Sequence, residues 1–233
     1  MKFQEIKHIM VLTGAGISAE SGIKTFRDEN GLWENHEITE VASPEGFLKN
    51  PALVQRFYNA RREQLKEVHP NAAHKALAAL EKEVPKLTLI TQNVDDLHER
   101  AGSKNVFHMH GELNKIRNIK TGEVKYTTEA IIEKDFSHWR PDIVWFGEMI
   151  KHAEQIEKAA QNCDLFLCIG TSNNVYPAAA IVHRALDVGA ICIELNLEET
   201  PLSSFYHKSI HGRAGSIVPK FTNELMTNSF QLK

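Results

Sequence analysis

The sequence has few cysteines, and their spacing excludes two kinds of site. Its 233 residues contain only three, Cys163, Cys168 and Cys192, and no two of them form a CxxC pair. An odd number of unpaired cysteines argues against a disulfide framework and against a cysteine zinc site. We interpret the three as reduced core residues, which favours a cytoplasmic protein.

The sequence also lacks a large excess of charge and a long apolar run. Lys and Arg number 27 and Asp and Glu number 30, a formal net charge of −3, and no dense basic run occurs. The longest apolar runs, DLFLCIG and AICIELNL, are too short to cross a bilayer, and the first residues show no secretory cleavage pattern. We therefore expect neither nucleic acid nor a membrane among the partners.

The chain does contain an alternation of apolar runs and amphipathic helical patterns. With 42% hydrophobic residues it can bury a substantial core. Strands that are apolar on both faces and alternate with helices are typical of an α/β fold with a doubly wound, mostly parallel sheet. Strands are predicted over 8–15, 87–93, 105–110, 142–148, 164–170 and 190–196. Helices are predicted over 71–84, 152–163 and 177–189.

Two stretches interrupt this alternation. Residues 28–69 are helical and polar, and residues 111–141 are polar and rich in turns, with a predicted hairpin around Thr121 and Gly122. We expect the two stretches to form a small lobe inserted into a Rossmann-like domain. That domain would comprise residues 1–27, 70–110 and 142–233.

The first predicted strand leads into the glycine-rich turn GAGISAESGI. Gly14 and Gly16 stand at the turn, and Gly22 follows. Glycines between a strand and a helix let a pyrophosphate approach the backbone, where free N–H groups and the helix dipole stabilise its charge. The spacing is not GxGxxG, and tight turns of small residues also occur without a ligand.

Polar residues follow several predicted strands. Ligands of open α/β sheets bind beyond the carboxyl ends of the strands, so these residues are candidates for one common site. Taken singly, Asp95, Thr171 and Ser172 could equally cap helices or stabilise turns. The candidates are Gln92, Asn93, Asp95, Gly170, Thr171, Ser172 and Asn196.

Two histidines alternate in the segment VFHMHGEL. Either His108 or His110 could be a hydrogen-bonded structural histidine, and an HxH pair could bind a metal, although no third ligand is evident. His110 stands directly before Gly111 at the predicted end of the strand. It is therefore the better placed of the two to act as a general base.

A positive charge lies on the predicted inner stripe of the helix NPALVQRFYNARREQLKEV. Val54, Tyr58, Arg61 and Leu65 stand at positions i, i+4, i+7 and i+11. An inward-facing guanidinium has five donors to satisfy and cannot shed its charge, so it requires an anion. The anion could be a ligand, or it could be an internal carboxylate such as that of Glu45.

Six ordered segments cover nearly the whole chain: GAGISAESGIKTFR, TQNVDDLHERAG, HMHGEL, VWFGE, GTSNNVYPAA and ELN. In order and approximate spacing they resemble the sirtuins, which are NAD-dependent protein-lysine deacylases. The resemblance implies NAD as cofactor, acylated-lysine proteins or peptides as substrates, nicotinamide and O-acyl-ADP-ribose as products, and a monomer. The chain is most similar to the bacterial branch with a desuccinylase-type pocket.

The same resemblance assigns roles to individual residues. His110 would be the catalytic base, with Asn93 and Asp95 lining the nicotinamide pocket. Phe26 and Arg27 would belong to a loop that closes over the cofactor. NAD contacts are implied for Gly14, Ala15, Gly16, Gln92, Gly170, Thr171, Ser172 and Asn196. A substrate strand would pair with Val144, Phe146, Gly147 and Glu148.

Tyr58 and Arg61 match a Tyr-x-x-Arg pair that lies at the base of the acyl-lysine pocket in the desuccinylase-type branch. Arg61 would bind the carboxylate of a succinyl or malonyl chain in a forked pair, and the hydroxyl of Tyr58 would donate to the same group. Ala42 matches the small residue that widens this pocket. The resemblance therefore implies a preference for acidic acyl chains, with deacetylation as a second activity.

The chain departs from the family pattern in its zinc site. Sirtuins usually carry four zinc-binding cysteines between the catalytic histidine and the FGE segment, and this chain has none there. We expect a metal-free lobe held by the hairpin and by apolar contacts. Those contacts are predicted for Ile116, Ile131, Ile132, Phe136 and Trp139.

Two other functions remain as alternatives. The protein could be an ADP-ribosyltransferase or NAD hydrolase, or it could be an NAD-sensing binding module without turnover. The pair of Tyr58 and Arg61 argues against the first alternative, as does the intact VWFGE segment. The presence of Asn93, Asp95 and His110 argues against the second, because a module that only binds NAD needs no base.

Overall fold

The computed structural model describes residues 2–24, 32–33 and 36–230, and within these ranges the chain forms two main sheets. The strands are β1 (His8–Thr13), β2 (Leu32–Trp33), β3 (His36–Glu37), β4 (Lys86–Thr91), β5 (Val106–His108), β6 (Gly111–Asn118), β7 (Val124–Tyr126), β8 (Trp139–Ile143), β9 (Leu165–Ile169), β10 (Ile191–Asn196) and β11 (Lys208–His211). The α-helices are α1 (Ile38–Val41), α2 (Pro44–Lys49), α3 (Pro51–Glu67), α4 (Ala72–Glu83), α5 (Leu97–Ala101), α6 (Ala153–Ala160), α7 (Ile181–Asp187) and α8 (Ala214–Met226). None of these helices is long and apolar enough to cross a membrane.

The larger sheet is parallel and has the strand order β11-β10-β9-β1-β4-β5. Side chains of β1 alternate between its two faces. Ile9 and Val11 join the core beneath α4 and α8, whereas Met10 and Leu12 join the core beneath α6 and α7. Helices therefore cover both faces of the sheet, and the predicted doubly wound α/β fold is confirmed.

The strand predicted over 142–148 is wrong in its extent and in its partner. The strand there is β8, which pairs antiparallel with β6 in the smaller sheet. Its segment is apolar because Ile143 and Trp145 are buried against aromatic side chains of α3. The sixth parallel strand is instead β11, which the sequence did not reveal because its edge position leaves the polar KSIH segment only partly buried.

We call α3, the sheet β7-β6-β8 and the loop between β7 and β8 the small lobe. The predicted hairpin is confirmed as β6 and β7, and Gly122 adopts the positive φ of 72° that its turn requires. Ile131 and Phe136 are buried as predicted, but the predicted contact of Ile132 is wrong because its side chain is 55% exposed. Successive side chains of extended backbone point to opposite sides, so burial of Ile131 turns Ile132 outwards.

Side-chain amides of α3 bind the backbone of the small lobe. Asn59 pairs with Ile131 in both directions: Nδ2 donates to the carbonyl oxygen and Oδ1 accepts from the N–H, each over 2.9 Å. Gln55 donates to the carbonyl oxygen of Phe136 over 3.3 Å and to that of Trp139. These bonds satisfy backbone groups in a stretch of chain that contains no cysteine.

The fully buried arginine of α3 is Arg62, which the stripe through Val54, Tyr58 and Arg61 did not predict. Arg62 is 1% exposed, whereas Arg61 is partly buried. Arg62 follows Val54 by eight residues and so lies on the same stripe of the helix. Its Nε donates to the carbonyl oxygen of Leu113 over 3.0 Å, and its Nη1 donates to Oδ1 of Asn59 over 2.7 Å. Burial lowers the pKa of Arg62 to about 10.

Candidate active site

The turn after β1 packs backbone to backbone against the turn after β9. The N–H of Gly14 donates to the carbonyl oxygen of Ile169 over 3.0 Å, and the N–H of Gly16 donates to that of Gly170 over 2.8 Å. A Cβ on Gly16 would lie 2.8 Å from the carbonyl oxygen of Gly170, and Gly170 itself has a φ of 62°. The glycines of both turns are therefore required for the two loops to meet.

Donors from two strand ends bind Thr171. Nε2 of Gln92 donates to the hydroxyl of Thr171, and Nδ2 of Asn196 donates to its carbonyl oxygen, each over 2.8 Å. Within the described part of the chain, the backbone N–H groups of Ala15 and Ser172 have no acceptor. Such N–H groups at the ends of parallel strands suit the oxygens of a pyrophosphate.

The loops that follow β1, β4, β9 and β10 meet at one edge of the sheet, which we call the rim. A buried polar cluster lies next to it. Nδ2 of Asn93 donates to the carbonyl oxygen of Gly14 over 3.2 Å and to the hydroxyl of Ser18 over 3.1 Å. That hydroxyl donates in turn to Oδ2 of Asp95 over 3.0 Å. Oδ1 of Asp95 accepts the N–H of Leu97, so Asp95 also stabilises the start of α5. Burial raises the pKa of Asp95 to about 6.

His110 is held in one tautomer. Its Nδ1 lies 3.0 Å from the carbonyl oxygen of Gln92. Because a carbonyl only accepts, Nδ1 carries the hydrogen and Nε2 keeps the lone pair of the neutral ring. Burial lowers the pKa of His110 against the opposing effect of the bond to Gln92, so the ring is neutral at physiological pH. His110 is therefore arranged as a base.

His108 has a different environment, in which both ring nitrogens are bonded. Nδ1 lies 3.0 Å from the carbonyl oxygen of Asn93, and Nε2 lies 2.7 Å from Oε1 of Glu99. Burial alone would lower the pKa of His108, but the bond to Glu99 and its charge raise it. His108 thus supports the backbone at Asn93. Among the described residues, no group of three or more His, Cys, Asp or Glu is placed to hold a metal ion.

The segment after β8 runs between His110 and the end of α1. The N–H of Val144 donates to the carbonyl oxygen of His110 over 2.8 Å, and the N–H of Phe146 donates to that of Ala42 over 3.0 Å. The side chain of Phe146 is 57% exposed, and Gly147 has a φ of 88°. The N–H groups of Val144 and Phe146 thus fix this segment to the rest of the chain.

The side chain of Glu148 braces the same segment. Its carboxylate accepts two bonds from Arg140, over 2.6 and 2.9 Å, and one from the N–H of Trp145 over 2.8 Å. Burial alone would raise the pKa of Glu148, but the bonds to Arg140 and Trp145 lower it. The guanidinium of Arg140 stacks 3.4 Å from the ring centroid of Trp145. Sequence reasoning missed Arg140 and Trp145, although an arginine within an apolar run signals a buried ion pair.

Tyr58 packs against this segment, and Arg61 lies one turn further along α3. The hydroxyl of Tyr58 accepts from Nε1 of Trp145 over 2.9 Å, and the side chain is fully buried. Burial raises the pKa of Tyr58, so the hydroxyl keeps its hydrogen. The guanidinium of Arg61 lies 4.8 Å from the ring centroid of Phe57. Arg61 lines a cavity of about 270 Å³ together with His36, Leu53, Arg56, Phe57 and Ala60.

The structure places Gly14, Gln92, Asn93, Thr171 and Asn196 around one edge of the parallel sheet, beyond the carboxyl ends of β1, β4, β9 and β10, whereas Ala42, Tyr58 and Arg61 lie on or beside α1 and α3. Phe26 and Arg27, which were expected to close over the cofactor, lie outside the described residues. Fold and site together define an α/β protein with a polar ligand cleft where such sheets bind nucleotides.

The chain belongs to the Sir2 family, whose sequence profile matches residues 14–177. An NAD-dependent protein deacylase of Pasteurella multocida (strain Pm70) is 54% identical over 228 residues, which cover 94% of this chain and 97% of the relative. A Sir2 homologue solved with NAD is 38% identical, has a TM-score of 0.89, and covers 100% of this chain and 93% of its own. Sir2Af2, solved with a myristoylated histone peptide, is 32% identical with a TM-score of 0.77, covering 97% of this chain and 94% of its own.

These relationships confirm the predicted family, the cofactor and the class of enzyme. The chain is an NAD-dependent protein deacylase. The roles of single residues and the chemistry of the acyl chain are not decided by overall similarity, because a fold supports many specificities through its site.

Proposed function

We propose that the enzyme removes acyl groups from protein lysines and prefers acidic chains such as succinyl and malonyl, with acetyl as a second substrate. The observation that carries this preference is the placement of Tyr58 and Arg61. Tyr58 is bonded to Trp145, which belongs to the segment expected to pair with the substrate, and Arg61 lies one helical turn away. The acylated peptide bound to the relative Sir2Af2 supports acyl-lysine as the substrate class.

The pair supplies what a terminal carboxylate requires. A guanidinium binds a carboxylate through two parallel charge-assisted hydrogen bonds, which a methyl group cannot accept. The hydroxyl of Tyr58 accepts from Trp145 and carries its own hydrogen, which can be donated to the same carboxylate. The carbonyl oxygen of Ala42 accepts from the N–H of Phe146, in the segment after β8. The side chain of Ala42 contributes only a methyl group to this region.

The residues of the rim fit NAD. The N–H groups of Ala15 and Ser172 suit its pyrophosphate, and Gln92 and Asn196 hold the loop at Thr171. When bound, NAD would supply an electrophilic ribose carbon with nicotinamide as its leaving group. Asn93 and Asp95 would line the nicotinamide side of the cleft.

His110 supplies the proton acceptor. Its Nε2 carries the free lone pair because Nδ1–H is donated to Gln92, and its lowered pKa keeps the ring neutral. We propose that Nε2 takes the proton of a ribose hydroxyl, which becomes the acceptor of the acyl group. With one water consumed to release the lysine amine, the products are free lysine, nicotinamide and O-acyl-ADP-ribose.

One assay separates this proposal from its alternatives. A succinyl-lysine peptide and the matched acetyl-lysine peptide are incubated with NAD and followed by mass spectrometry. We expect free lysine and succinyl-ADP-ribose, formed faster from the succinyl peptide than acetyl-ADP-ribose is formed from the acetyl peptide. ADP-ribosylated peptide, or free ADP-ribose with the acyl group still on lysine, would identify a transferase or hydrolase. The absence of product from both peptides would indicate an NAD-sensing binding module without turnover.

We also propose a cytoplasmic monomer without a nucleic-acid partner. The three cysteines are buried and unpaired with one another, as in reducing compartments, and the net charge is −3. Light scattering at micromolar concentration should give the mass of one chain, near 26.3 kDa.

A further inference from the structure

Glu194 is a buried carboxylate that is held by neutral donors. It lies on β10 and is 1% exposed. Oε1 accepts from Nδ2 of Asn173 over 3.0 Å and from the hydroxyl of Thr200 over 2.6 Å. Oε2 accepts from the hydroxyls of Ser203 and Ser209, the latter over 2.9 Å. A buried carboxylate is costly unless such bonds satisfy it, so its burial requires these segments to stay together.

Asn173 connects this carboxylate to the loop after β9. It has a φ of 57°, a left-handed conformation that few side chains adopt. Nδ2 also donates to the hydroxyl of Thr200 over 3.1 Å, and Oδ1 accepts from the thiol of Cys168 over 3.4 Å. The amide of Asn173 is thus fully engaged on the buried side. Its backbone continues into Thr171, which Gln92 holds from the other side.

We propose that Glu194 is a positioning residue for the cofactor: through Asn173 it holds residues 170–173 in the conformation that receives the dinucleotide. The inference rests on the proposed function, which places Gly170, Thr171 and Ser172 along NAD. Glu194 acts through Asn173, and the acyl-lysine side of the cleft is built separately by α3 and the segment after β8. Loss of the link should therefore weaken NAD binding and spare peptide recognition.

Two substitutions of Glu194 distinguish the effect of its hydrogen bond to Asn173 from the effect of its side-chain volume. Glu194→Gln keeps the shape and an oxygen towards Asn173, while the hydroxyls of Ser203 and Ser209 can turn and accept from the new amide. Glu194→Leu fills the space with an apolar side chain and removes both acceptor oxygens. In steady-state kinetics, we expect Glu194→Leu to raise the KM for NAD roughly fivefold or more, because a buried amide loses its acceptor. The KM for peptide and the kcat at saturating NAD should stay within about twofold, and Glu194→Gln should resemble the wild type.

Asn173→Gly tests the same link from the loop side, and it decides the matter if Glu194→Leu fails to fold. Glycine adopts the positive φ without strain, so the backbone is preserved while the anchor is lost. We expect the same rise in the KM for NAD. The double variant Asn173→Gly with Glu194→Leu should show no further rise, since both changes break one connection.

Several outcomes would overturn the proposal. A lowered melting temperature with an unchanged KM for NAD in Glu194→Leu and Asn173→Gly would show a purely structural role. An equal rise in Glu194→Gln and Glu194→Leu would show that the negative charge matters and the bond to Asn173 does not. Asn196→Ala is the reference for the cofactor rim. If Asn196→Ala alone raises the KM for NAD, the role of Glu194 and Asn173 is refuted while NAD still binds at the rim. If none of Asn196→Ala, Glu194→Leu and Asn173→Gly raises it, the proposed placement of NAD is itself refuted.

Discussion

The indole of Trp145 donates a hydrogen bond to the hydroxyl oxygen of Tyr58, over 2.9 Å. Trp145 follows β8, and Tyr58 lies in the middle of α3, so the bond joins the two walls of the proposed acyl-lysine pocket. A hydroxyl that accepts from an indole has its own hydrogen directed away from that donor. The bond therefore fixes where the hydroxyl of Tyr58 can donate.

We expect Trp145→Phe to lower the preference for succinyl over acetyl peptide about fivefold, the effect of one lost hydrogen bond worth roughly 1 kcal/mol. The phenyl ring keeps the packing against Arg140 and Phe47, so the fold is retained. The measurement is the ratio of kcat/KM for the two peptides, which does not depend on the fraction of folded enzyme. An unchanged ratio would show that the bond does not direct Tyr58.

Arg61→Met should reduce kcat/KM for succinyl peptide about 30-fold or more and leave acetyl peptide nearly unaffected. Removal of one partner of a forked ion pair leaves the substrate carboxylate unpaired, at a cost of about 2–5 kcal/mol. The two peptides are compared in parallel kinetic assays. Equal losses on both would remove the case for carboxylate recognition.

Arg56→Met is the matched control for that substitution. Arg56 lies on the same helix and lines the same cavity, but its side chain is exposed. An exposed charge is screened by solvent and salt, so its removal should leave the succinyl-to-acetyl ratio within about twofold of the wild-type value. If Arg56→Met and Arg61→Met lowered the ratio equally, general positive potential would account for the preference.

The pH dependence of activity should reflect His110. Because burial lowers its pKa below the ordinary value of 6.5, the ring loses its basic form only at lower pH. We expect kcat/KM to fall on the acid side with a midpoint below 6.5, and His110→Tyr to abolish turnover of every acyl chain. Titration of the His110 ring by NMR, assigned with the His110→Tyr variant, provides the direct check. A His110 pKa above 6.5 would contradict the assigned role of burial.

The amide of Asn59 should contribute strongly to the stability of the small lobe. Asn59→Ala leaves both backbone groups of Ile131 and one donor of the buried Arg62 without their partner, at a cost of about 3 kcal/mol. Urea denaturation measures the loss. Asn118→Ala, which removes exposed turn bonds to Lys120 and Thr121, is the control and should cost less than about 1 kcal/mol. Equal losses of unfolding free energy in the two variants would show that the bonds of Asn59 stabilise the protein no more than exposed turn bonds do.

Chelator treatment should change neither the melting temperature nor the activity. The small lobe is held by the amides of Gln55 and Asn59 and the guanidinium of Arg62, and these groups bind no metal in their present contacts. The check is differential scanning fluorimetry and turnover with and without EDTA. A fall of several degrees, reversed by zinc, would reveal a metal site.

The sequence predicted those parts of the fold whose environment is uniform along the chain. β1, β4, β9 and β10 are buried on both faces along most of their length, so each appears as a run made up mainly of apolar residues. β11 lies at the edge of the sheet and half in solvent, which leaves no such run. The resemblance to a known family supplied the site residues, because catalytic side chains from distant segments share no local pattern.

Contacts between distant segments explain what the sequence left undecided. Helical spacing predicted Arg61 on the inner stripe and did not single out Arg62, whose burial depends on acceptors from Asn59 and Leu113. The link from Glu194 to Asn173 could not be predicted for the same reason, since it joins β10 to the loop after β9 only after the strands have paired. Buried polar partners are set by tertiary structure and not by periodicity.

Because side chains of α3 hold the small lobe, the structure of this lobe does not depend on the redox state of any cysteine. Residues 111–141 contain no thiol, so an oxidant that strips zinc from cysteine sites finds no target in the small lobe. The remaining thiols, of Cys163, Cys168 and Cys192, are buried, and burial raises the pKa of each, which suppresses the reactive thiolate. We therefore expect deacylation by this chain to continue under peroxide and at low zinc concentrations.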